Sequence, residues 1–531
     1  MDGKKMIEAN LIRGILQNIT FGSLLDKLAA EFGSKTALVD QAQTVSYEKL
    51  QEQAKRTAGI FIAEGIRKDD NVMVWMNNRV EFFYVCFGLF YIGARPILML
   101  PSHRKKELSA IADFSTAAAI VTYGSELGFD YVRLSTEVKA DCKTIQKVFA
   151  YQGDAADVNL NHYPLPAVAG GLAGEKPEAS DIALFLLSGG TTGTPKLIPK
   201  RHAAYLYNAR QAAARCKVSE HSVYLAALST AHDYPLCCPG VFGTMLHGGK
   251  SVLAATASFD EVSEWVETEC VTYTAIAPVV AEMWAEYMEW SGEPDLSSLE
   301  YFLIGAAKLD LELARKLETV FRIKIIQGYG LGEGITCFTA ADDPAEVSWS
   351  CQGRPVSEYD EVKIVDESGN ELGPQQAGEL IQKGPYTFEG YYRADELNHQ
   401  VFTADGFFCT GDKAMLTKEG NIKIIGRVKE QINRAGENIT PSEIEQYLNG
   451  HQQIAGAAVI GLPDDALGEK ICAVLIKEGE ELSRKEICKY LIAEGLANFK
   501  LPDCICYTDR FPYVNIGKVD KKTLQKQIME S

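Results

Sequence analysis

Short apolar runs alternate with helical stretches along the chain up to about residue 330, and this alternation limits the possible folds most strongly. Runs such as Val72 to Trp75 and Ala118 to Thr122 are typical of buried strands, while Phe21 to Phe32 carries apolar residues at helical spacing. Strands that alternate with helices are typical of a parallel sheet covered on both faces. The sequence therefore predicts an α/β fold built on doubly wound sheets.

The same pattern predicts more elements of this kind. The expected strands are Arg95 to Leu100, Ile182 to Leu187, Val223 to Leu228, Lys250 to Ala254, Thr274 to Ala277, Tyr301 to Ile304 and Ile323 to Gln327. The expected helices are Leu50 to Gly65, Ala203 to Ala214 and Leu311 to Phe321. Because ligands of open α/β sheets bind at the carboxyl ends of strands, the segments after these strands are the candidate site segments.

The texture changes after about Val347. From there to Ile425, short alternating runs are separated by Gly, Asn and Asp turns, which predicts a small antiparallel, β-barrel-like unit. The last hundred or so residues alternate helix and strand on a smaller scale, as in a small α+β domain. We therefore expect an N-terminal core over residues 1–427, with the β unit at about 347–425, and a C-terminal domain over residues 428–531.

Bulk properties exclude several classes of protein. A chain of 531 residues is too long for one compact core, and its net charge of −18 argues against a nucleic-acid partner. The 13 cysteines lack metal-ligand spacing, and the N-terminus lacks an apolar signal core, so we expect reduced thiols in the cytoplasm. The longest apolar stretch, Phe82 to Ala94, is too short to span a bilayer and predicts a buried helix rather than a membrane partner.

One loop has the composition of an anion site. Residues Leu187 to Lys200 read LSGGTTGTPKLIPK and follow a predicted strand. Its glycines would let backbone N–H groups approach phosphate oxygens, its hydroxyls would add donors, and Lys196 would add charge. By composition alone the loop is more typical of a flexible surface turn, and it does not match the Walker P-loop pattern.

The exact string SGGTTGTPK resembles the phosphate loop of the adenylate-forming superfamily, which contains acyl-CoA synthetases, luciferases and the adenylation domains of nonribosomal peptide synthesis. Further motifs follow in the family's order, so the resemblance covers nearly the whole chain. It implies that ATP phosphates are bound by Ser188, Gly189, Gly190, Thr191, Thr192, Gly193 and Lys196, with Lys196 also counted as catalytic.

The resemblance assigns further residues to ATP and magnesium. Glu333 in YGLGE matches the glutamate that holds Mg²⁺, and Asp412 in FCTGD matches the aspartate that binds both ribose hydroxyls. Arg427 matches an arginine that contacts the ribose. The remaining nucleotide-site residues are Gly305, Ala306, Ala307, Gly328, Tyr329 and Gly330. Taken alone, Glu333 and Asp412 are equally ordinary loop carboxylates.

The C-terminal part contains motifs that resemble the family's domain hinge, thiol tunnel and catalytic lysine. In GRVKEQINRAGE, Lys429 falls on the family's hinge and Gly436 lies where the thiol's tunnel needs room, which implies that residues 428–531 form a mobile domain. Lys518 in NIGKVDKK matches the late catalytic lysine, whose ammonium would bridge the carboxylate and the α-phosphate. On composition alone, Lys518 belongs to a solvated basic patch.

The implied reaction has two steps. A carboxylate attacks the α-phosphorus of ATP, which gives an acyl-adenylate and pyrophosphate, and a thiol then takes the acyl group and releases AMP. No nucleophilic side chain is required, although Cys237 or Cys238 would be a candidate for one. The chain ends 13 residues after Lys518 (531 − 518), so we expect the acceptor to be a separate carrier protein, with CoA as the alternative.

The segment AHDYPLCCPG resembles the stand-alone aryl-acid adenylating enzymes, in which 2,3-dihydroxybenzoate and salicylate are the usual substrates. There His232 gates the pocket, and the position of Asp233, usually Asn, contacts the ortho substituent. Cys238 in place of Ser implies an acid without a 3-hydroxyl group. The expected pocket consists of His232, Asp233, Tyr234, Cys238, Gly305, Gly328, Ile335 and Thr336, with Gly328 and Thr336 predicting a roomier or more polar wall.

Asp233 favours a particular substrate. An ionised aspartate only accepts hydrogen bonds, and it repels a nearby substrate carboxylate, so an ortho amino group with two donors is its better partner. The sequence therefore favours anthranilate or 3-hydroxyanthranilate. The alternatives are a salicylate or 2,3-dihydroxybenzoate ligase of siderophore synthesis, an aryl-CoA ligase, an α-amino acid substrate, and a non-catalytic binding protein.

Overall fold

The computed structural model describes residues 3–164, 172, 174–188, 196–288, 294–307, 309, 311–427, 432–439, 441–514, 518–519 and 521–530. For residues 426, 427, 438, 442, 446, 513, 514 and 518 the description covers the backbone only. The chain forms two compact units. The first comprises Met1–Pro101, Ala112–Leu187 and Leu197–Val428, and the second comprises Ser102–Ile111, Ser188–Lys196 and Lys429–Ser531.

The first unit contains a nine-stranded sheet. In spatial order its strands are Arg354–Pro355, Thr336–Phe338, Lys324–Gly330, Tyr301–Ile304, Tyr273–Ile276, Val223–Ala226, Lys250–Leu253, Thr36–Val39 and Thr44–Ser46. The six strands from Lys324–Gly330 to Thr36–Val39 are parallel to one another. The remaining strands pair in antiparallel fashion at the two edges of the sheet.

A seven-stranded sheet accompanies it. In spatial order its strands are Lys196–Arg201, Ile182–Ser188, Arg95–Met99, Asn71–Trp75, Ala119–Tyr123, Lys147–Tyr151 and Val158–Asn159. The pairings from Ile182–Ser188 to Val158–Asn159 are parallel. Two mostly parallel sheets confirm the predicted α/β class.

Helices alternate with these strands along the chain. They are Gly3–Ile12, Phe21–Phe32, Tyr47–Ala63, Val80–Ile92, Lys105–Ser115, Tyr131–Asp141, His202–Arg215, Asp233–Cys237, Gly240–Leu246, Phe259–Glu269, Pro278–Met288, Leu311–Phe321, Ala345–Ser350 and Asp395–Val401. Val80–Ile92 is buried around almost its whole circumference, as its apolar run predicted, and ends at Gly93 in the left-handed region. Among the described residues, no helix is both long and apolar enough to cross a membrane.

The predicted β unit is a four-stranded antiparallel sheet. Its strands, in order, are Glu361–Val365, Gly378–Lys383, Phe408–Leu416 and Ile422–Arg427. Val347, near which the unit was expected to begin, lies in the helix Ala345–Ser350. The alternating pattern therefore begins later, at Glu361.

The second unit has a five-stranded sheet centred on Gly468–Lys477. This strand pairs with Ile454–Asp464, Ile432–Arg434 and, in parallel, Cys504–Tyr507, and Glu437–Ile439 pairs with Ile432–Arg434. Its helices are Pro441–Leu448, Arg484–Ala493 and Lys521–Glu530, with a 3₁₀ turn at Asn498–Lys500. Two short ribbons lie elsewhere in the chain, one of Ser125–Glu126 and Phe129–Asp130 and one of Tyr513–Val514 and Lys518–Val519.

Candidate active site

Candidate site segments of the first unit lie where parallel strands of the nine-stranded sheet end. Ile276 is paired with Ile304, and Ile304 with Gln327, so the carboxyl ends of these strands share one edge. Gly305 follows directly, and Ala306 adopts a left-handed φ of 68°. The backbone turns after this strand, at the edge of the sheet where ligands of open α/β sheets bind.

Gly328, Tyr329 and Gly330 were predicted to follow their strand, and this was wrong. The strand continues to Gly330, because Gly328 pairs with Phe338 and Gly330 pairs with Thr336 in an antiparallel extension. The YGLGE motif therefore begins within a strand, and its turn starts only at Leu331.

The segment that begins at His232 forms a short helix, Asp233–Cys237. His232 is exposed, and its Nδ1 accepts a hydrogen bond of 3.4 Å from the backbone N–H of Tyr234. Asp233 is half-buried on the first turn of this helix, where a carboxylate is favoured by the helix dipole.

Asp233 already has a hydrogen-bond donor. Tyr205 on the helix His202–Arg215 donates from Oη to Asp233 Oδ1 at 2.6 Å. Burial, together with the Asp233 carboxylate, raises the pKa of Tyr205 well above its usual value, so the hydroxyl keeps its proton and acts as the donor. An amine on the substrate is therefore not the only donor that Asp233 can meet.

The other carboxylate oxygen of Asp233 lies next to a thiol, which is a weaker hydrogen-bond donor than the Tyr205 hydroxyl. Cys238 Sγ lies 3.7 Å from Asp233 Oδ2 and 3.8 Å from Thr336 Oγ1. The amide Nδ2 of Asn208 lies 3.7 Å from the same sulfur. Cys238 and Thr336 are buried, so the predicted pocket residues Asp233, Cys238 and Thr336 do come together.

Gly328 does not make the site roomier. A Cβ atom at Gly328 would lie 2.4 Å from the ring of Phe338, so that ring occupies the space that a side chain would take. Ile335, next to Thr336, is buried in the apolar cluster that includes Leu380 and Ile422.

Two buried polar atoms near the pocket have no hydrogen-bond partner within the described parts of the chain. They are Tyr234 Oη and Asn208 Oδ1. Tyr234 Oη would lie 3.2 Å from a Cβ atom at Gly305, so it stands beside the strand end where a ligand would bind. Buried polar groups are normally satisfied, and a ligand or water is the usual partner in such cases.

A network behind Thr336 links it to a titratable carboxyl. The backbone N–H of Thr336 donates to Tyr386 Oη at 3.1 Å, and Tyr386 Oη donates to Asp360 Oδ2 at 2.6 Å. Burial raises the pKa of Asp360 to about 7, although the hydrogen bond from Tyr386 acts in the opposite direction.

Glu333 is a buried carboxylate suited to a magnesium ion. Tyr391 Oη donates to Glu333 Oε1 at 2.7 Å, and the backbone N–H of Phe388 donates to the Glu333 carbonyl at 2.7 Å. The first contact orients the Glu333 side chain, and the second holds the Glu333 backbone in place. Mg²⁺ commonly binds one or two carboxylates together with substrate phosphates and water, so a single oriented Glu333 fits that ion. Within the described residues no group of three or more His, Cys, Asp or Glu could hold a metal by itself.

Lys200 is buried behind this turn, with 3% of its surface exposed. Its Nζ donates to the Gly332 carbonyl at 2.7 Å and lies 5.1 Å from the centre of the Tyr205 ring. Lys200 thus connects the turn before Glu333 to the tyrosine that holds Asp233. A cation over an aromatic ring contributes about 0.5–2 kcal/mol.

Asp412 is buried in the strand Phe408–Leu416 and is oriented by a tyrosine. Tyr329 Oη donates to Asp412 Oδ2 at 2.7 Å, and the Asp412 backbone N–H donates to Thr410 Oγ1 at 3.1 Å. Burial and the adjacent Asp412 carboxylate raise the pKa of Tyr329 well above its usual value. The backbone of Arg427 pairs with Asp412 across the sheet, and the Arg427 side chain lies outside the description.

Several predicted site residues stay predictions. Gly189, Gly190, Thr191, Thr192, Gly193 and Lys429 lie outside the described residues, as does the Lys518 side chain. Ser188 ends one strand, Lys196 begins another, and Ala307 lies in the bend after Gly305. Gly436 has a φ of 86° in the turn after Arg434, where its N–H donates to Asn433 Oδ1 at 3.1 Å.

Sequence reasoning missed the residues that orient the predicted ones. Tyr205, Asn208 and Lys200 were not selected, nor were Tyr386 and Tyr391. Tyr205 and Asn208 are three residues apart in the helix His202–Arg215, so they share a face, and this spacing was the available signal.

Comparison with known proteins defines the class. Residues 25–392 match the model of the AMP-binding enzyme family, and residues 443–518 match the model of the AMP-binding enzyme C-terminal domain. The chain belongs to the AMP-binding enzyme family.

Individual relatives extend over almost the whole chain. It is 38% identical to the 2,3-dihydroxybenzoate-AMP ligase of Bacillus subtilis over 517 residues, which cover 96% of this chain and 94% of that protein. It is 37% identical over 516 residues to the salicyl-AMP ligase / salicyl-S-ArCP synthetase of Mycobacterium tuberculosis, with 96% and 91% covered. The apo structure of MbtA from Mycobacterium smegmatis superposes with a TM-score of 0.75 at 34% identity, with 98% and 97% covered.

Proposed function

We propose that this chain activates a 2-hydroxyaryl acid, salicylate or 2,3-dihydroxybenzoate, as its aryl-adenylate. The names of the two ligases reported above state that they use 2,3-dihydroxybenzoate and salicylate. The observation that carries the choice is the 2.6 Å hydrogen bond from Tyr205 to Asp233. Because Tyr205 supplies the donor that Asp233 needs, a substrate amine is not required to balance the carboxylate.

Cys238 favours salicylate of the two acids. A thiol is a weak hydrogen-bond donor and acceptor, so a 3-hydroxyl group beside it would lose the solvation it has in water without full replacement. Thr336, 3.8 Å away, offers a second hydroxyl, but it is buried and its backbone is held by Tyr386. Salicylate has no 3-hydroxyl group to satisfy.

A 2-aminobenzoate is the second candidate. Asp233 Oδ2 has the weak Cys238 thiol as its neighbour at 3.7 Å, so an amino group would be a stronger donor to this oxygen. Asp233 Oδ2 is therefore the feature that supports anthranilate or 3-hydroxyanthranilate as the second candidate substrate.

The chain's own residues would hold ATP through oriented carboxylates. Asp412, fixed by Tyr329, would accept hydrogen bonds from both ribose hydroxyls, and Glu333, fixed by Tyr391, would ligate Mg²⁺. A Mg²⁺ ion held by Glu333 would supply positive charge next to the phosphates. Arg427 would contact the ribose, and Lys518 would stabilise the charge between carboxylate and α-phosphate.

We further propose the remaining roles. Residues Ser188 to Lys196 would hold the phosphates, and His232 would gate the aryl pocket. Residues 428–531 would move about Lys429 after adenylation, with Gly436 beside the incoming thiol. The acceptor would be the phosphopantetheine thiol of a separate carrier protein, with CoA as the alternative, and the enzyme would work in the cytoplasm.

Direct detection of the products tests this proposal. The purified chain is incubated with ATP, Mg²⁺ and one acid at a time, and the quenched reaction is analysed by mass spectrometry for aryl-AMP. We expect salicyl-AMP in the largest amount, followed by loss of AMP when a holo-carrier protein is added. Absence of aryl-AMP with every 2-substituted benzoate would refute the proposal, and transfer to CoA alone would refute the carrier assignment.

A further inference from the structure

Three cysteines lie together on one face of the sheet of the second unit. Cys472 is on the strand Gly468–Lys477, and Cys504 and Cys506 are on the neighbouring parallel strand Cys504–Tyr507. Cys472 pairs directly with Cys504 in the register of these strands, and its Sγ lies 3.7 Å from Cys506 Sγ. Residues two apart on a strand share a face, so all three thiols point to the same side.

The three cysteines differ in exposure. Cys472 is fully buried, whereas Cys504 and Cys506 are half-buried beside an apolar cluster that includes Leu524 of the helix Lys521–Glu530. A small oxidant can therefore reach Cys504 before it reaches Cys472. None of the adenylation roles assigned above uses these thiols.

The surroundings activate Cys504. A hydrogen bond from the Cys472 thiol, with smaller contributions from Lys470 and Arg484, lowers the pKa of Cys504 to about 7, against burial and the Asp503 carboxylate. The same contact and burial raise the pKa of Cys472. The cluster thus places a nucleophilic thiolate next to a protonated thiol, the arrangement of a reactive and a resolving cysteine.

We propose that Cys504 and Cys472 form a peroxide-sensitive dithiol that closes to a disulfide within the second unit. Hydrogen peroxide transfers one oxygen to the Cys504 thiolate, which gives a sulfenic acid and releases hydroxide. Cys472 then attacks the Cys504 sulfur, the S–O bond breaks, and the second hydroxide leaves as water with the Cys472 proton. One thiolate and one thiol are oxidised to the disulfide, and one peroxide is reduced to one hydroxide and one water.

Backbone geometry selects Cys472 rather than Cys506 as the partner. Directly paired residues on adjacent strands have Cα atoms about 5 Å apart, which is within the range that a disulfide can bridge. Cys472 and Cys506 are diagonal, with Cα atoms about 7–8 Å apart, which is at or beyond the limit although their sulfurs are close.

Peptide mapping after oxidation tests the proposal. The reduced full-length chain is treated with two equivalents of hydrogen peroxide at pH 7, free thiols are alkylated, and the digest is analysed by mass spectrometry. We expect a Cys472–Cys504 cross-link as the main product, a loss of two thiols per chain, and full recovery with dithiothreitol. Exposed Cys270 serves as the internal reference and should stay mostly reduced.

Matched variants separate the roles. Cys506→Ser should still form the cross-link, Cys504→Ser should leave Cys472 reduced, and Cys472→Ser should leave a sulfenic acid on Cys504 that dimedone traps. Circular dichroism verifies that each variant is folded. The proposal is overturned if Cys270 oxidises before the pair, if Cys472 links mainly to Cys506, or if Cys506→Ser abolishes the cross-link in a folded chain.

Discussion

Replacing Asp233 with Asn tests how the pocket reads the ortho substituent. If the substituent hydrogen-bonds to Asp233, the two carboxylates lie about 5 Å apart, and at an effective dielectric constant of about 20 they repel by roughly 3 kcal/mol. Asn removes this repulsion, but the 2.6 Å bond from Tyr205 loses its charge assistance, which costs about 1 kcal/mol. The net gain for a 2-hydroxy acid is therefore about 1–2 kcal/mol.

That gain corresponds to about a tenfold rise in kcat/KM for salicylate. A 2-aminobenzoate should not share it, because its amino group only donates and its bond to the charged acceptor is weakened, whereas a phenol hydroxyl can also accept from the new amide N–H. The preference for salicylate over anthranilate should therefore rise about tenfold. Initial rates of ATP–pyrophosphate exchange over a range of each acid supply the two kcat/KM values. Asp154→Asn, on an exposed loop, is the matched control. A preference ratio that stays within threefold of the wild type would refute the reasoning.

Three further predictions concern other carboxylates. Asp412→Asn should raise the KM for ATP at least tenfold, because a carboxylate held by Tyr329 loses one charged acceptor of the ribose diol, while the KM for the acid changes little in exchange kinetics. Glu333→Gln should shift the Mg²⁺ titration of exchange to higher concentration by at least tenfold; an unchanged midpoint would count against a ligand role. Asp360→Asn should flatten the pH dependence of stability. The pKa of Asp360 is raised to about 7 in the folded chain, so as pH rises the unfolded chain loses this proton at a lower pH than the folded chain does. Wild-type stability therefore falls as pH rises from about 4 to 7, by no more than about 4 kcal/mol. Urea unfolding at pH 5 and pH 8 measures this, and an equally steep profile in the variant would contradict it.

Periodicity was sufficient for most of the fold. Phe21–Phe32, Leu311–Phe321 and Tyr301–Ile304 have the predicted bounds, because each is delimited by an abrupt change in apolar spacing. Strand ends were harder to predict where pairing continues through glycines. The strand Lys324–Gly330 passes through two glycines since Thr336–Phe338 pairs with it, and that pairing depends on a later segment.

In the candidate site too, local motifs could be recognised from the sequence, whereas tertiary contacts could not. Motif residues such as Glu333 and Asp412 could be named from the sequence, because short glycine-containing strings carry them. Tyr391, which orients Glu333, could not, because it comes from a segment 58 residues away. Tyr329 was assigned to the nucleotide site, but its hydrogen bond to Asp412 could not be foreseen, because 83 residues separate the two. The expectation about Gly328 failed for a related reason, since Phe338 fills its space across the strand pair.

Asp233 illustrates how one contact changes a substrate argument. From the sequence alone its charge required a donor from the ligand, and an amine was the natural choice. Tyr205 on a separate helix provides that donor, so the same aspartate is compatible with a phenolic acid. The difference arises from tertiary structure, because 28 residues separate Tyr205 from Asp233.

ATP–pyrophosphate exchange with a panel of acids tests the central claim most directly. The panel contains salicylate, 2,3-dihydroxybenzoate, anthranilate, 3-hydroxyanthranilate, benzoate and the common amino acids. The account predicts exchange that depends on an added aryl acid and is fastest with salicylate, then with 2,3-dihydroxybenzoate. Fastest exchange with an amino acid or an aminobenzoate, or no exchange with any aryl acid, would contradict it.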